Sequence, residues 1–290
     1  MISYGFRHLH PLTGWLYMLV SAGTIMLFFH PLLLLGVALV QAALHLVWHG
    51  LSGSGRRFLL LLVVWLFVTL MNPLFNHRGA MILFYFMDQP ITGEAVWYGA
   101  TNGLLIVSML LLFVNMQAIL STPKLLYLFA RVSPKVTLIL SLAVRFVPLY
   151  RKRLKSIAQV HAARGMSIRQ GPRKQRMQNG MKQVQTLLSW SMESAVQTAD
   201  SMAARGYGSG HRTSYARYRW SVADSVHAAG FVVLVTALLT GWMLQHGRLE
   251  IYPVMEQEMM HSGDGWMMGL LLMLHALPLW METREGLRWR

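Results

Sequence analysis

Six apolar segments constrain the fold of this chain more than any other feature of its sequence. They lie at residues 15–29, 32–48, 58–75, 97–117, 229–246 and 266–281. About 20 apolar residues are enough to cross a bilayer as a helix, which satisfies its backbone polar groups internally. The composition, 54% hydrophobic and 13% charged, is that of a membrane protein. We therefore predict an all-α, polytopic membrane protein with about five to six spans.

Prolines are expected to shape the ends of these segments. His30-Pro31 separates the first two, so residues 15–48 are predicted to form a broken or hairpin pair of helices. Asn72-Pro73 is expected to end the third segment, because the residue before proline is disfavoured in helical conformation. Several segments are shorter than a full upright span, and the first passage is not expected to cross completely.

Basic residues are concentrated in one stretch of the chain. Of the 26 Lys and Arg, 18 lie between Lys124 and Arg219, where the acids are Glu193 and Asp200. An excess of Lys and Arg between spans marks the cytoplasmic side of a membrane protein. We therefore expect three regions: N-terminal membrane spans over 1–120, a basic cytoplasmic region with helices lying along the membrane surface over 121–228, and C-terminal spans over 229–290.

The net charge of +15 has two interpretations. Nucleic-acid binding would need a platform for base stacking, whereas these basic residues lie between membrane spans, so no nucleic-acid partner is expected. Attraction to anionic lipid headgroups explains most of the charge more simply. The residues assigned to headgroups are Arg151, Lys152, Arg153, Lys155, Arg169, Arg173, Lys174 and Arg176.

A short motif occurs twice in the basic region, as Ala163-Arg164-Gly165 and again as Ala204-Arg205-Gly206. Each glycine is expected to adopt the left-handed conformation that ends a helix, with arginine projecting from the last turn. The small alanine side chain leaves room for close approach to that surface. A carboxylate-lined groove on a partner could then bind the guanidinium through two hydrogen bonds. The simpler alternative is an arginine that complements the helix dipole before an ordinary glycine stop.

Other patterns in the basic region predict its local structure. Gln170 to Arg173 and Asn179-Gly180 have turn composition, and Arg145 and Pro148 are expected to interrupt the apolar stretch 138–150. One helical stripe is a candidate for contact with a partner helix, although internal packing is the more common reason for such a stripe. Its members are Leu188, Met192, Ala195, Ala199 and Met202.

Catalytic and metal sites find little support in the sequence. The phosphate loop GxxxxGK[ST] is absent, as are clustered nucleophiles in the spans, so we expect no enzyme activity. The chain has no cysteine, which excludes thiolate metal sites. His45 and His49 have the i, i+4 spacing of metal ligands, but a packed or interfacial role is the simpler interpretation and no metal site is assigned.

Taken together, the motifs resemble one known family, the CbiQ/EcfT-type transmembrane component of energy-coupling factor (ECF) transporters. The resemblance covers most of the chain. It rests on both Ala-Arg-Gly motifs and on four further matches: His10-Pro11, Asn72-Pro73-Leu74-Phe75, Arg145-Phe146-Val147-Pro148 with Ala158-Gln159, and Ser201 to Tyr207.

The resemblance implies a multi-pass scaffold in the cytoplasmic membrane of a bacterium or archaeon. Two ABC-type ATPases would bind at Arg164 and Arg205 and carry the ATP and Mg, with no cofactor on this chain. A separate small membrane subunit would bind a vitamin, a vitamin precursor or a transition-metal ion. The alternative from another class is a stand-alone secondary transporter or channel with a basic cytoplasmic cap, which predicts internal repeats or charged residues in mid-membrane.

Overall fold

The structure is a computed structural model of the 290-residue chain. It describes residues 6, 9–76, 79–86, 89–210, 218–244, 246–247, 249 and 264–288. If the basic region is cytoplasmic, the alternation of spans assigns the acidic residues Asp88, Glu250, Glu256 and Glu258 to the outside, and all four lie outside the described residues.

The described residues form α-helices and one small antiparallel sheet. In chain order the elements are α1 Pro11–Leu27, α2 Pro31–His49, α3 Leu51–Phe75, β1 Ile82–Phe86, β2 Gln89–Thr92, α4 Gly93–Ile119, α5 Thr122–Val132, α6 Pro134–Ala163, α7 Arg173–Ala204, α8 Val222–Met243 and α9 Asp264–Arg288. Each predicted apolar segment corresponds to a helix, and the all-α prediction is confirmed. The sheet was not predicted.

Four of the helices are long and apolar enough to cross a membrane. They are Pro31–His49, Gly53–Phe75 within α3, Gly93–Ile119 and Val222–Met243. The apolar helix α1 has 17 residues, in agreement with the expected short first passage. Pro31 begins α2, so the predicted break between the first two segments is confirmed. The chain is a multi-pass membrane protein.

The chain divides into two compact units. The bundle unit comprises Met1–Leu125 and Tyr218–Arg290, and the basic unit comprises Leu126–Arg217. The first and last regions expected from the sequence therefore share one unit, while the exact limits at 120/121 and 228/229 stay predictions.

Helix α4 is the centre of the bundle unit and packs against α1, α2 and α3, while α9 packs against α2 and α8. Close approach of α3 and α4 depends on two glycines four residues apart. A Cβ on Gly99 would lie 2.8 Å from the Thr69 carbonyl oxygen, and one on Gly103 would lie 2.8 Å from Trp65 Cδ1. Small residues at this spacing let membrane helices pack backbone against backbone. The Trp65 indole then donates to the Ala100 carbonyl at 3.2 Å.

The two prolines that the sequence predicted to end or interrupt helices lie inside them, which corrects that expectation. Pro73 is in the last turn of α3, which continues to Phe75, and Pro148 is inside α6. In a membrane helix, neighbouring groups can compensate for the backbone bond that a proline removes. The Thr69 carbonyl, four residues before Pro73, lies close to Gly99 of α4.

Side-chain contacts of the buried His45 join α2, α3 and α4. His45 Nδ1 lies 3.1 Å from Asn115 Oδ1, and its Nε2 lies 3.3 Å from Arg57 Nη1. Because arginine only donates, His45 accepts at Nε2 and donates to Asn115 from Nδ1. His45 stacks on His49 with ring centroids 4.3 Å apart. Both ring nitrogens of His45 are thus in use, and the described residues contain no group of three or more side chains that could hold a metal ion.

Candidate functional site

The first Ala-Arg-Gly motif forms the end of α6. Gly165 has φ 75°, the left-handed conformation that favours glycine. Its N–H donates to the Ala162 carbonyl at 3.0 Å, and the Met166 N–H donates to the His161 carbonyl at 2.9 Å. These two bonds define a Schellman motif, which satisfies carbonyl groups that a helix end otherwise leaves free.

The second Ala-Arg-Gly motif ends α7 with the same geometry. Gly206 has φ 80°, and its N–H donates to the Ala203 carbonyl at 2.9 Å. The Tyr207 N–H donates to the Met202 carbonyl at 3.0 Å, which completes a second Schellman motif. The predicted glycine stop is therefore present in both motifs.

Arginine occupies the C-cap position in both motifs. Arg164 has φ −88° and ψ 12°, and Arg205 has φ −84° and ψ 8°. Both side chains are exposed, as are the alanines before them. Within the described part of the chain, neither guanidinium has a hydrogen-bond or ion-pair partner. Both arginines are thus available to a partner, although the same position also suits the helix dipole.

An aromatic and cationic contact fixes the crossing of α6 and α7. The Tyr150 ring packs edge-on against Trp190 with centroids 6.0 Å apart. The Arg153 guanidinium carbon lies 4.5 Å from the Trp190 ring centroid, a cation–π geometry. Arg153 is one of the residues assigned to lipid headgroups, so part of its role is internal.

The loop after the first motif folds back onto the start of α7. Asn179 Nδ2 donates to the Ser167 carbonyl at 3.2 Å, and Arg176 Nε donates to the Ile168 carbonyl at 2.6 Å. Asn179 and Gly180 are therefore inside α7, and their prediction as a turn is wrong. The turn at 170–173 agrees with the structure, where Gly171 has φ 94° before α7 begins.

These contacts make α6 and α7 antiparallel, with the two arginine-bearing ends far apart. The first motif leads into Ser167, beside Asn179, whereas the second motif follows the last residue of α7. Asn179 and Arg205 are separated by about 39 Å along the helix, at a rise of about 1.5 Å per residue. The two ends are thus separate contact points.

The predicted apolar stripe is mostly exposed. Leu188 is 59% exposed and Met192 65%, and Ala195 and Ala199 are also exposed, while Met202 is half-buried. Internal packing, the more common explanation, therefore does not account for it. The stripe continues toward the start of α7 through exposed side chains that the sequence analysis missed, although the same helical spacing could have revealed them: Met177, Met181 and Val184.

The remaining motif residues fall in different units. Asn72 and Pro73 lie in the bundle unit, whereas Arg145 and Pro148 lie in α6 of the basic unit. Arg145 is exposed, and the neighbouring Phe146 stacks on Tyr150 at 5.6 Å. The Arg-Phe-Val-Pro segment thus contributes an aromatic side chain to the α6–α7 crossing.

Comparison with known proteins gives a consistent result. A model of the CbiQ family, described as cobalt transport protein, matches residues 7–215. The energy-coupling factor transporter transmembrane protein EcfT of Bacillus selenitireducens is 27% identical over 203 residues, which cover 64% of this chain and 72% of the relative. EcfT of Streptococcus thermophilus is 28% identical over 188 residues, covering 59% and 70%.

A third relative aligns over a shorter stretch. EcfT of Lactobacillus helveticus is 32% identical over 106 residues, which cover 36% of this chain and 38% of the relative. The family match extends over both Ala-Arg-Gly motifs and most of the bundle unit. The chain therefore belongs to the CbiQ/EcfT-type family of transmembrane components of energy-coupling factor transporters.

Proposed function

We propose that this chain couples two ABC-type ATPases to a separate substrate-binding membrane subunit in an ECF-type importer. The observation that carries the proposal is the pair of equivalent helix ends. Arg164 and Arg205 occupy the same C-cap position in two Schellman motifs, and both guanidinium groups are exposed. A dipole-complementing arginine requires neither the repetition nor the alanine neighbours.

Each end is suited to a groove that carries carboxylates. The planar guanidinium can form two parallel hydrogen bonds to one carboxylate, an interaction stronger than that between neutral groups. The adjacent alanines let the groove approach the helix end closely. On this proposal one ATPase binds at Arg164 and the other at Arg205.

Coupling follows from the separation of the two ends. They are far apart on one antiparallel helix pair, whose crossing is held by Trp190, Tyr150 and Arg153. ATP-driven closure of the ATPases would change the distance between their grooves. The contacts made on the two helices would therefore differ between the two nucleotide states. A ligand-driven change requires such differential contacts. ATP and Mg would bind to the ATPases, in keeping with the absence of a phosphate loop in this sequence.

The exposed stripe of α7 is the surface that we assign to the substrate-binding subunit. Its centre, Leu188 and Met192, is apolar and exposed over more than half of each side chain. The transported substrate would be a vitamin, a vitamin precursor or a transition-metal ion, and specificity would reside on that subunit. The basic unit would face the cytoplasm of a bacterial or archaeal cell, with its exposed cations against anionic headgroups.

An affinity pull-down from the native membrane tests this function. The tagged chain should bring down two ABC-type ATPases, or a homodimer of one, and a small membrane protein, all identified by mass spectrometry. Recovery of the chain alone in mild detergent would favour the alternative, a stand-alone secondary transporter or channel. Transport by the purified chain in vesicles, without ATP, would establish that alternative directly.

A further inference from the structure

The β1–β2 hairpin of the bundle unit has no role in the proposed coupling. Its strands pair antiparallel, with Phe84 opposite Ile91 and Tyr85 opposite Pro90. Strand β2 packs against α3 and α4, and Ile91 and Thr92 are buried there. Strand β1 is the outer strand of the pair.

The base of the hairpin is held firmly by the first turn of α4. The buried Glu94 carboxylate accepts hydrogen bonds from the Ala80 N–H at 3.1 Å and the Met81 N–H at 3.0 Å. The Gly93 N–H donates to the Met81 carbonyl at 2.8 Å. The hairpin is therefore fixed to the end of a membrane-spanning helix.

Both faces of β1 are apolar and uncovered. Met81, Ile82, Leu83, Phe84 and Tyr85 are 66%, 49%, 54%, 55% and 67% exposed. Phe84 and Tyr85 pair in regular register with Ile91 and Pro90 and therefore point to opposite faces, so their exposure leaves neither face of β1 packed, while the pairing is irregular between Ile82 and Phe84. A long apolar edge strand exposed to water is an aggregation site, which proteins usually block with charge or proline. Strand β1 contains neither.

The surroundings of the hairpin indicate what covers it. Helix α3, which leads into the hairpin, has an apolar surface of exposed side chains that includes Val63, Phe67 and Leu70 and is suited to contact with lipid. Trp97, one turn into α4, is 44% exposed, and Tyr98 stacks on Phe29 at 5.1 Å. Aromatic residues at a span end are typical of the boundary between acyl chains and headgroups. The surface of β1 is continuous with this boundary.

The backbone edge of β1 that faces away from β2 limits how deep in the membrane the hairpin can lie. Unpaired N–H and C=O groups cannot lie in the hydrocarbon core, where water is absent, but they can be hydrated among the headgroups. A protein docked on one face would leave the other uncovered, whereas a lipid interface surrounds both. We propose that β1 is embedded in the headgroup–acyl interface of the leaflet at the N-terminal end of α4, with phospholipid as its partner on both faces.

Site-specific fluorescence in lipid tests this proposal, since the chain has no cysteine of its own. Phe84→Cys and Tyr85→Cys place an environment-sensitive dye on opposite faces of β1, because these two residues pair in regular register with Ile91 and Pro90, and Val63→Cys places it in mid-span on α3. Each full-length variant is reconstituted in phosphatidylcholine vesicles that carry a doxyl quencher either near the headgroup or near the middle of the acyl chain. Circular dichroism and gel filtration verify that each variant is folded.

We expect positions 84 and 85 to lose more fluorescence with the shallow quencher than with the deep one, and position 63 to show the reverse order. Aqueous iodide should quench positions 84 and 85 less than it quenches the free dye. Quenching by lipid at one position alone, or strong iodide quenching at both, would overturn the proposal. Loss of lipid quenching when the complex is assembled would instead assign β1 to a protein partner and equally overturn it.

Discussion

The side-chain amide of Asn115 donates to both the backbone oxygen and the side-chain Oε1 of Gln41, each at 2.9 Å. Its own Oδ1 accepts from His45. One buried residue of α4 is thus bound to two successive turns of α2, across 74 residues of sequence. Inside the bundle these groups have no water to replace a lost partner.

Substitution Asn115→Leu should therefore destabilise the bundle unit. It keeps the side-chain volume similar but leaves Gln41 and His45 with unsatisfied buried groups, at a cost of about 1–2 kcal/mol. The measurement is thermal unfolding in detergent, followed by tryptophan fluorescence. Phe113→Leu, at a site on the same helix that is 47% exposed, is the matched control and should melt close to the wild type. Equal melting temperatures of the Asn115→Leu and Phe113→Leu variants would contradict the role assigned to Asn115.

Substitution Gly103→Ala should separate α3 from α4. The new Cβ would lie 2.8 Å from Cδ1 of the rigid Trp65 indole and 3.1 Å from the Trp65 carbonyl oxygen. Overpacking of this kind costs about 1–3 kcal/mol. At Gly269 in α9 nothing lies within 4 Å of such a Cβ. Gly269→Ala should therefore raise stability by up to about 1 kcal/mol, because alanine favours a helix over glycine. In thermal unfolding, Gly103→Ala should lower the melting temperature and Gly269→Ala should raise it.

Charge reversal at the two helix ends should remove the ATPases from the complex. Arg164→Glu or Arg205→Glu alone should weaken co-purification, by about 2 kcal/mol or more for a buried charge pair, and the double variant should abolish it. Arg169→Glu changes the charge of the same loop equally at another exposed residue and serves as control. Co-purification of the ATPases with the double variant at the wild-type level would rule out this docking mode.

The orientation of the basic unit can be tested with an engineered thiol. Gln170→Cys in this cysteine-free chain should resist an impermeant thiol reagent added to intact cells, and should react after the cells are opened. Glu256→Cys, in the segment that the sequence assigns to the outside, is the control that verifies access of the reagent. Ready labelling of position 170 in intact cells would reverse the topology.

Local sequence patterns were sufficient to predict most of the helices and both helix stops. The apolar segments and the two Ala-Arg-Gly motifs depend on interactions within a few residues, such as the bond from Gly165 to Ala162. The orientation of the stripe was less predictable, because periodicity reveals an apolar face but not whether another helix covers it. The structure leaves Leu188 exposed on α7.

Errors arose where distant residues override local preference. Asn179-Gly180 has turn composition, but the Asn179 side chain donates a hydrogen bond to the Ser167 carbonyl, and α7 continues past both residues. The hairpin was missed because its anchor, Glu94, acts on residues 13 and 14 positions earlier in the chain. The link between Asn115 and Gln41 has no sequence pattern at all, since it appears only after α2 and α4 are packed.

The two Schellman ends of α6 and α7 give one asymmetric chain two equivalent contact points. On the proposed function, a pair of like ATPases related by a twofold axis would offer two identical grooves, whereas a single chain with helices of 30 and 32 residues has no such axis. Repeating one helix end at two places would resolve this mismatch, because each proposed groove would need only a few residues to be alike. The rest of α6 and α7 is then free to differ, so the same chain can present two equal ends to one partner and an unequal surface to another.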